Sequence, residues 1–159
     1  DKDVLWGMLS RAPKKTRFWI DETYIDYIGK QNTLEDFAWK NDNVIICKSM
    51  SKVYALSGMR VAYLCGSKVL LEKLKILIPP WVVGLPSQVA ATAALKDTAY
   101  YEHCYQETHL LRQNLAHDLT SLFGIKTFSG TANFILCEFH KNIEKSCFYF
   151  GSIIYLSIL

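Results

Sequence analysis

The chain has 159 residues, 50% of them hydrophobic and 21% charged, with a formal net charge of +3. That balance excludes an intrinsically disordered chain, which carries few apolar residues and a large net charge, and the eight glycines and four prolines exclude a collagen-like or low-complexity one. So small a positive charge does not demand nucleic acid as a partner, and the length suffices for one domain or one and a half small ones.

In chain order, Asp1–Leu9 reads as the end of a helix with Val4, Leu5, Met8 and Leu9 apolar, followed by a polar connector, Arg11–Thr16, that contains Pro13. Three short apolar runs come next: Phe18–Ile20 ending in Asp21-Glu22, Val44–Cys47 ending in Lys48-Ser49, and Val61–Cys65 ending at Gly66. Unbroken runs of this length predict strands covered on both faces, as in an α/β sheet whose helices supply the covers. Lys68–Ile78 carries a broad leucine stripe and stops at Pro79-Pro80; Pro86 opens a second helix, Ser87–Leu95. From Thr98 to Phe123 apolar residues recur at helical spacing, and Gly124 is a natural stop. Ile125–Phe128 and Asn133–Phe139, separated by Ser129-Gly130, read as two further strands of a second domain.

Five cysteines, at 47, 65, 104, 137 and 147, form no C-x-x-C pair, so neither a zinc ribbon nor a thioredoxin-type motif is present. Without a cationic, apolar leader at its start, the expected location is the cytoplasm, with an organelle allowed because a removed transit peptide leaves no trace. The 14 residues Ser146–Leu159 are uncharged. A bilayer span takes about 20 residues, so the expectation there is a buried terminal strand or an adventitious end, and no membrane partner. His103, His109, His117 and Cys104 lie along the long helix without an i, i+4 pair, and no metal is expected on them. No G-x-G-x-x-G and no G-x-x-x-x-G-K-[ST] occurs, which leaves nucleotide cofactors without support.

The residues that carry chemistry follow two of the apolar runs. Lys48-Ser49-Met50-Ser51-Lys52 and Leu56-Ser57-Gly58-Met59-Arg60 place hydroxyls, lysines and an arginine at the carboxyl end of a strand, where α/β folds bind ligands. Hydroxyls and a guanidinium suit a phosphate, and a lysine shielded from water can act as a Schiff-base nucleophile. Alone, S-x-S-K is weak, and a solvated basic loop is its bland explanation. Asp21-Glu22-Thr23-Tyr24 ends the other run; alone it reads as a strand-ending acid and a packed tyrosine. Together, a carboxylate, a tyrosine, a lysine and a phosphate-binding group match the needs of pyridoxal phosphate, which takes a lysine and an acid partner for its pyridine nitrogen.

The segments D-E-T-Y, K-S-M-S-K-V-Y-A-L-S-G-M-R-V-A-Y and P-P-W-V-V-G-L-P-S-Q-V-A-A closely resemble fold-type I pyridoxal phosphate enzymes, in particular the histidinol-phosphate aminotransferase branch of the class I/II aminotransferases. S-G-T-A-N-F-I-L resembles that branch's P-S-x-A-N-F segment, with Ser129-Gly130 where Pro-Ser is usual. Asp21 and Lys52 stand 31 residues apart and Arg60 stands eight past the lysine, as in the family. The resemblance covers roughly residues 1–139. It implies an α/β fold: part of a three-layer α/β/α large domain (1–97), a connecting helix (98–124) and the start of a small α+β C-terminal domain with an atypical tail (125–159).

By the same resemblance, Lys52 is the catalytic residue, forming the internal aldimine with pyridoxal 5'-phosphate and then moving a proton between substrate Cα and the cofactor. Asp21 pairs with the pyridine nitrogen, Tyr24 reaches the ring's phenolic oxygen, and Ser49, Ser51 and Arg60 hold the phosphate. Glu22, Tyr54, Ser57 and Met59 read as scaffold, and no substrate-binding residue is assigned. The implied reaction exchanges an amino acid, histidinol phosphate among the candidates, with a 2-oxo acid, in a homodimer. The alternatives are a related lyase or decarboxylase sharing these motifs, and a catalytically inactive fragment. The family's phosphate-loop segment, ring-stacking aromatic and N-P-x-x-P-T-G asparagine precede the D-x-x-Y motif, and its carboxylate-binding arginine lies near the C-terminus. The arginines here are 11, 17, 60 and 112, so the expectation is the middle of a longer enzyme.

Overall fold

The structure, a computed structural model, describes residues 2–138; Cys147, the stretch Ser146–Leu159 and the end of the expected last strand at Phe139 lie outside them. In chain order the elements are α1 (Lys2–Arg11), β1 (Phe18–Asp21), α2 (Glu35–Lys40), β2 (Val44–Ser49), β3 (Ala62–Cys65), α3 (Lys68–Lys75), α4 (Leu85–Lys96), α5 (Thr98–Phe123), β4 (Lys126–Phe128) and β5 (Leu136–Glu138). They divide into two compact units, Asp1–Asp97 and the residues from Thr98 onward.

In the first unit the strands lie in the order β1-β2-β3. β1 runs parallel to β2, with Phe18 opposite Val44 and Asp21 opposite Cys47. β3 returns antiparallel, with Ala62 opposite Ser49 and Cys65 opposite Ile46. The β-branched run Val44-Ile45-Ile46 favours the extended backbone of the central strand. Side chains alternate along it: Val44, Ile46 and Lys48 are buried, while Ile45, Cys47 and Ser49 are half-buried.

The core gathers on one face of this sheet. Leu9 of α1, Leu34, and Phe37 and Ala38 of α2 pack with Val44 and Ile46, and Phe18, Ile20 and Cys65 lie against them. Each such aliphatic or aromatic side chain, fully buried, contributes about 1.5–3 kcal/mol. The expected cover on both faces is not what the described residues supply: Trp19, on the other face of β1, is 61% exposed. That face holds the odd-numbered positions of β1 and β2, which include Asp21 and Ser49.

Helix α2 has no counterpart in the sequence reading. Six residues are too few to show a helical period, and Leu34 at its N-cap makes no side-chain cap bond. The legible signals were Glu35 and Asp36 in the first turn and Lys40 in the last, which oppose the helix dipole. α3 ends at Lys75, short of the expected Ile78, because the chain tightens there: Leu77 and Ile78 donate back three residues, to the carbonyls of Leu74 and Lys75.

The packed face also carries charge. Lys48, 4% exposed, reaches Glu35 Oε1 at 2.7 Å and Glu22 Oε2 at 3.5 Å. Glu22 is satisfied on both oxygens, accepting from the Leu34 amide at 2.8 Å and from the Thr33 hydroxyl. Burial alone would lower the Lys48 pKa, but the hydrogen bond and charge of Glu35, helped by Asp26 and Glu22, outweigh it and hold the ammonium charged. Asp26 is buried beside them, and among the described residues its Oδ2 has no hydrogen-bond partner. Desolvation raises its pKa against the opposing pull of Lys48.

The second unit contains α5, whose end is set by Gly124 at φ +63, a conformation that suits glycine. The amides of Gly124 and Ile125 return to the carbonyls of Thr120 and Leu119. β4 and β5 pair antiparallel, Lys126 opposite Glu138, and these two side chains form a 2.7 Å ion pair. β5 begins at Leu136, three residues later than the sequence suggests. The Arg112 guanidinium donates to the Ala132 carbonyl at 2.9 Å, tying the preceding loop to α5.

Two outcomes follow from the buried charges. Lys48→Met leaves Glu22 buried without its counter-charge and lowers stability by about 3 kcal/mol or more in urea titration, and adding Glu22→Gln recovers part of the loss. Asp26 has a folded pKa above its unfolded one, so its contribution is present below the unfolded value and is lost as pH rises through the folded value. Asp26→Asn is therefore more stable than the parent at neutral pH, and thermal unfolding shows that advantage vanishing as pH falls below about 4.

Candidate active site

The parallel pairing of β1 and β2 sends both chains out of the sheet at the same end. Asp21 is the last residue of β1 and Ser49 the last of β2. The Glu22 amide extends the ladder by donating to the Cys47 carbonyl at 2.9 Å. Just beyond it, Thr23 turns back on the strand end: its amide donates to Asp21 Oδ1 at 2.8 Å and its hydroxyl donates to the same oxygen. The Thr23 hydroxyl also accepts from the Ser49 amide at 3.3 Å. Among the described residues no hydrogen bond reaches Asp21 Oδ2. Tyr24 follows directly and is 38% exposed.

The loop from Met50 to Val61 closes on itself. The Met50 amide donates to the Val61 carbonyl at 3.1 Å, the Leu56 amide to the Met50 carbonyl at 3.0 Å, and the Ala55 amide to the Lys52 carbonyl at 3.0 Å. Two non-glycine residues in it, Ala55 at φ +52 and Arg60 at φ +48, adopt the left-handed conformation. Such a residue costs roughly 1–2 kcal/mol and persists where its surroundings hold it. Met50, Val53 and Tyr54 supply that hold, being buried beneath the loop. The Ser87 hydroxyl, in the first turn of α4, fixes the far side by donating to the Met59 carbonyl at 2.7 Å.

This backbone course folds Arg60 back over its own loop. Its Nη1 donates to the Ser57 carbonyl at 3.0 Å and lies 3.5 Å from Ser51 Oγ. The Ser51 amide in turn donates to Ser49 Oγ at 3.3 Å. Ser49, Ser51 and Arg60 thus form one chain of contacts, two hydroxyls and a guanidinium with no carboxylate among them, which suits a phosphate. Lys52 is half-buried, next in sequence to Ser51. Cys47, opposite Asp21 in the sheet, has its thiol pushed up by burial first and by the Asp21 charge second, so it stays protonated and unreactive at neutral pH.

Of the residues singled out by sequence, Ser49, Ser51 and Arg60 come together directly, and Asp21 is tied to Ser49 through Thr23. Sequence reasoning passed over Thr23, although a hydroxyl two residues after an aspartate is the signature of a side chain that bonds back to the local backbone or to its neighbour. It also placed Glu22 as scaffold without seeing its part in the buried charge network. Among the described residues no group of three or more His, Cys, Asp and Glu side chains is arranged to hold a metal ion. No helix of the described residues is long and apolar enough to cross a membrane.

The sequence profile of the aminotransferase class I and II family matches residues 5–149. Histidinol-phosphate aminotransferase from Methanocaldococcus jannaschii is 34% identical over 119 residues, 75% of this chain and 32% of that protein. The one from Microcystis aeruginosa is 38% identical over 119 residues, 75% and 33% of the two. The chain therefore spans about a third of the length of these relatives. The crystal structure of histidinol-phosphate aminotransferase from Clostridium acetobutylicum superposes with a TM-score of 0.80 at 27% identity, over 98% of this chain and 47% of that one. A decarboxylase of L-threonine-O-3-phosphate from Porphyromonas gingivalis shares the fold, with a TM-score of 0.76 at 18% identity over 89% of this chain and 43% of that one. With the profile matching nearly its whole length, this chain belongs to the class I and II aminotransferases.

Proposed function

We propose that this chain carries the lysine-bearing part of a pyridoxal phosphate-dependent aminotransferase, which exchanges the amino group of an amino acid or a related primary amine, histidinol phosphate being the first candidate, with a 2-oxo acid. The observation that carries the reading is the contact chain Ser49–Ser51–Arg60 set beside Asp21 at the ends of two adjacent parallel strands. The residues fit the cofactor: the hydroxyls and guanidinium match its phosphate, and Asp21, with one oxygen pinned and the other without a partner among the described residues, matches a basic ring nitrogen.

When bound, the cofactor supplies an electron-withdrawing ring that accepts the charge developed at the substrate Cα. The chain's own residues do the rest. Asp21 keeps a proton on the ring nitrogen, which makes that withdrawal strong. Arg60 and the two serines anchor the phosphate and so orient the ring. Tyr24, on the turn after Asp21, donates to the ring's phenolic oxygen. Lys52 would hold the cofactor through its amine and move a proton at the substrate Cα, roles that its place next to Ser51 supports. Burial of Val53 and Tyr54, the next two residues, holds the backbone that follows Lys52. The pairing of two copies belongs to the same proposal; Ile76, Leu77 and Trp81 present apolar side chains that are 83%, 77% and 93% exposed.

Incubation of the chain with pyridoxal phosphate followed by borohydride gives a stable adduct that peptide mass spectrometry places on Lys52, and Lys52→Ala abolishes it. An adduct spread over surface lysines contradicts the reading. With histidinol phosphate as donor, consumption of the 2-oxo acid marks transamination; with L-threonine-O-3-phosphate, which carries a carboxylate, release of carbon dioxide without consumption of a 2-oxo acid marks a lyase. Arg60→Ala raises the dissociation constant for pyridoxal phosphate about 10- to 100-fold, the loss of one or two charge-assisted hydrogen bonds. Spectrophotometric titration with pyridoxal, which lacks the phosphate, shows a change of less than about threefold in the same variant, because Arg60 has no phosphate to meet there.

A further inference from the structure

We propose that Thr23 is a positioning residue for Asp21, using its hydroxyl to fix the orientation of the carboxylate and to couple it to the Ser49 end of the site. The inference rests on the cofactor reading above and deepens it.

The direction of the hydrogen bonds is set by chemistry alone. The Ser49 amide can only donate, so at 3.3 Å it occupies a lone pair of Thr23 Oγ1. An ionised Asp21 carboxylate can only accept, so the one hydroxyl proton of Thr23 points to Asp21 Oδ1. The result is a relay from the Ser49 N–H through the Thr23 O–H to the Asp21 carboxylate, in which each bond polarises the next. With the Thr23 amide added, Oδ1 receives two donors while none of the described residues reaches Oδ2. Two bonds on one oxygen remove the carboxylate's rotational freedom. The carboxylate is left with a single oxygen in a defined place for an incoming N–H.

Thr23 is buried at 8% exposure, whereas Asp21 is exposed, so the ordering of Asp21 comes from Thr23 and not from packing around the carboxylate itself. The two partners lie on different strands. Asp21 ends β1 and faces the part of the site proposed for the ring; Ser49 ends β2 and begins the phosphate cluster. One hydroxyl therefore sets the separation between the groups proposed to meet the two ends of the cofactor. A valine of the same shape fills the space but breaks the relay at its centre, leaving the Ser49 amide unsatisfied.

The test compares two ligands by absorbance titration: pyridoxal phosphate, and its 1-deaza analogue, in which the ring nitrogen is a C–H that cannot bond to Asp21. Thr23→Val weakens pyridoxal phosphate binding about tenfold, the scale of one lost charge-assisted hydrogen bond, and weakens the analogue by less than about twofold. Thr23→Ser, which keeps the hydroxyl, stays within about threefold of the parent for both ligands. Thr23→Ala gives the same selective loss as valine, which covers the case in which valine disturbs folding; thermal unfolding without ligand reports that directly. Equal losses for both ligands, or no loss in either hydroxyl-free variant, overturn the positioning role while leaving the cofactor reading intact. A parent chain that binds neither ligand overturns the cofactor reading and this inference with it.

Discussion

The register between β1 and β2 is the constraint on which the rest of the site depends. With Asp21 opposite Cys47, the last residue of β1 sits two residues short of Ser49 on the neighbouring strand. Parallel neighbours lie about 4.8 Å apart and alternate positions share a face, so Asp21 and Ser49 emerge on the same side of the sheet within reach of one bridging side chain. A slip of one residue would turn Asp21 into the packed face and bring Glu22 out in its place. The Glu22 amide bond to the Cys47 carbonyl holds the register to the last possible position.

The two faces of the strand ends divide the work. The packed face carries the Lys48, Glu22 and Glu35 network, which joins the turn after β1, the start of α2 and the end of β2 through charge. Asp26 lies beside that network, where desolvation raises its pKa against the opposing pull of Lys48. The open face carries Asp21, Thr23 and Ser49, linked by shorter-range hydrogen bonds. Residues adjacent in sequence, Asp21 with Glu22 and Lys48 with Ser49, thus serve opposite faces: Glu22 and Lys48 join the buried charge network, while Asp21 and Ser49 meet through Thr23. The strained Ala55 and Arg60 fit the same division, since a loop pinned at Met50, Val61 and Ser87 can hold backbone that a free loop would relax.

Much of this was legible in the sequence, and the limits have physical causes. The three apolar runs marked the strands because short unbroken apolar stretches bounded by polar residues suit a sheet core. That Ser49, Ser51 and Arg60 come together was readable since they lie at the end of β2 and in the loop that follows it, where spacing in sequence and distance in space agree. α2 was not readable: six residues cannot display a period, and its place is set by Phe37 and Ala38 packing on β2, a tertiary contact. The expectation of cover on both sheet faces came from reading unbroken apolar runs as two-sided burial; on the face away from α1 and α2 that cover is partial, with Ile45 and Cys47 of the central strand half-buried and Trp19 of the edge strand exposed. Lys48 and Glu22 looked like ordinary loop charges because their burial depends on strand alternation that continues two residues past the apolar run.

The central claim is that the strand register delivers Asp21, oriented by Thr23, to the nitrogen of a pyridine ring. It is tested most directly by the ¹⁵N resonance of ring-labelled pyridoxal phosphate bound to the chain at neutral pH. The account predicts the shift of a protonated pyridine in the parent and its replacement by that of an unprotonated ring in Asp21→Asn. An unprotonated resonance in the parent, or one that Asp21→Asn leaves unchanged, would contradict it.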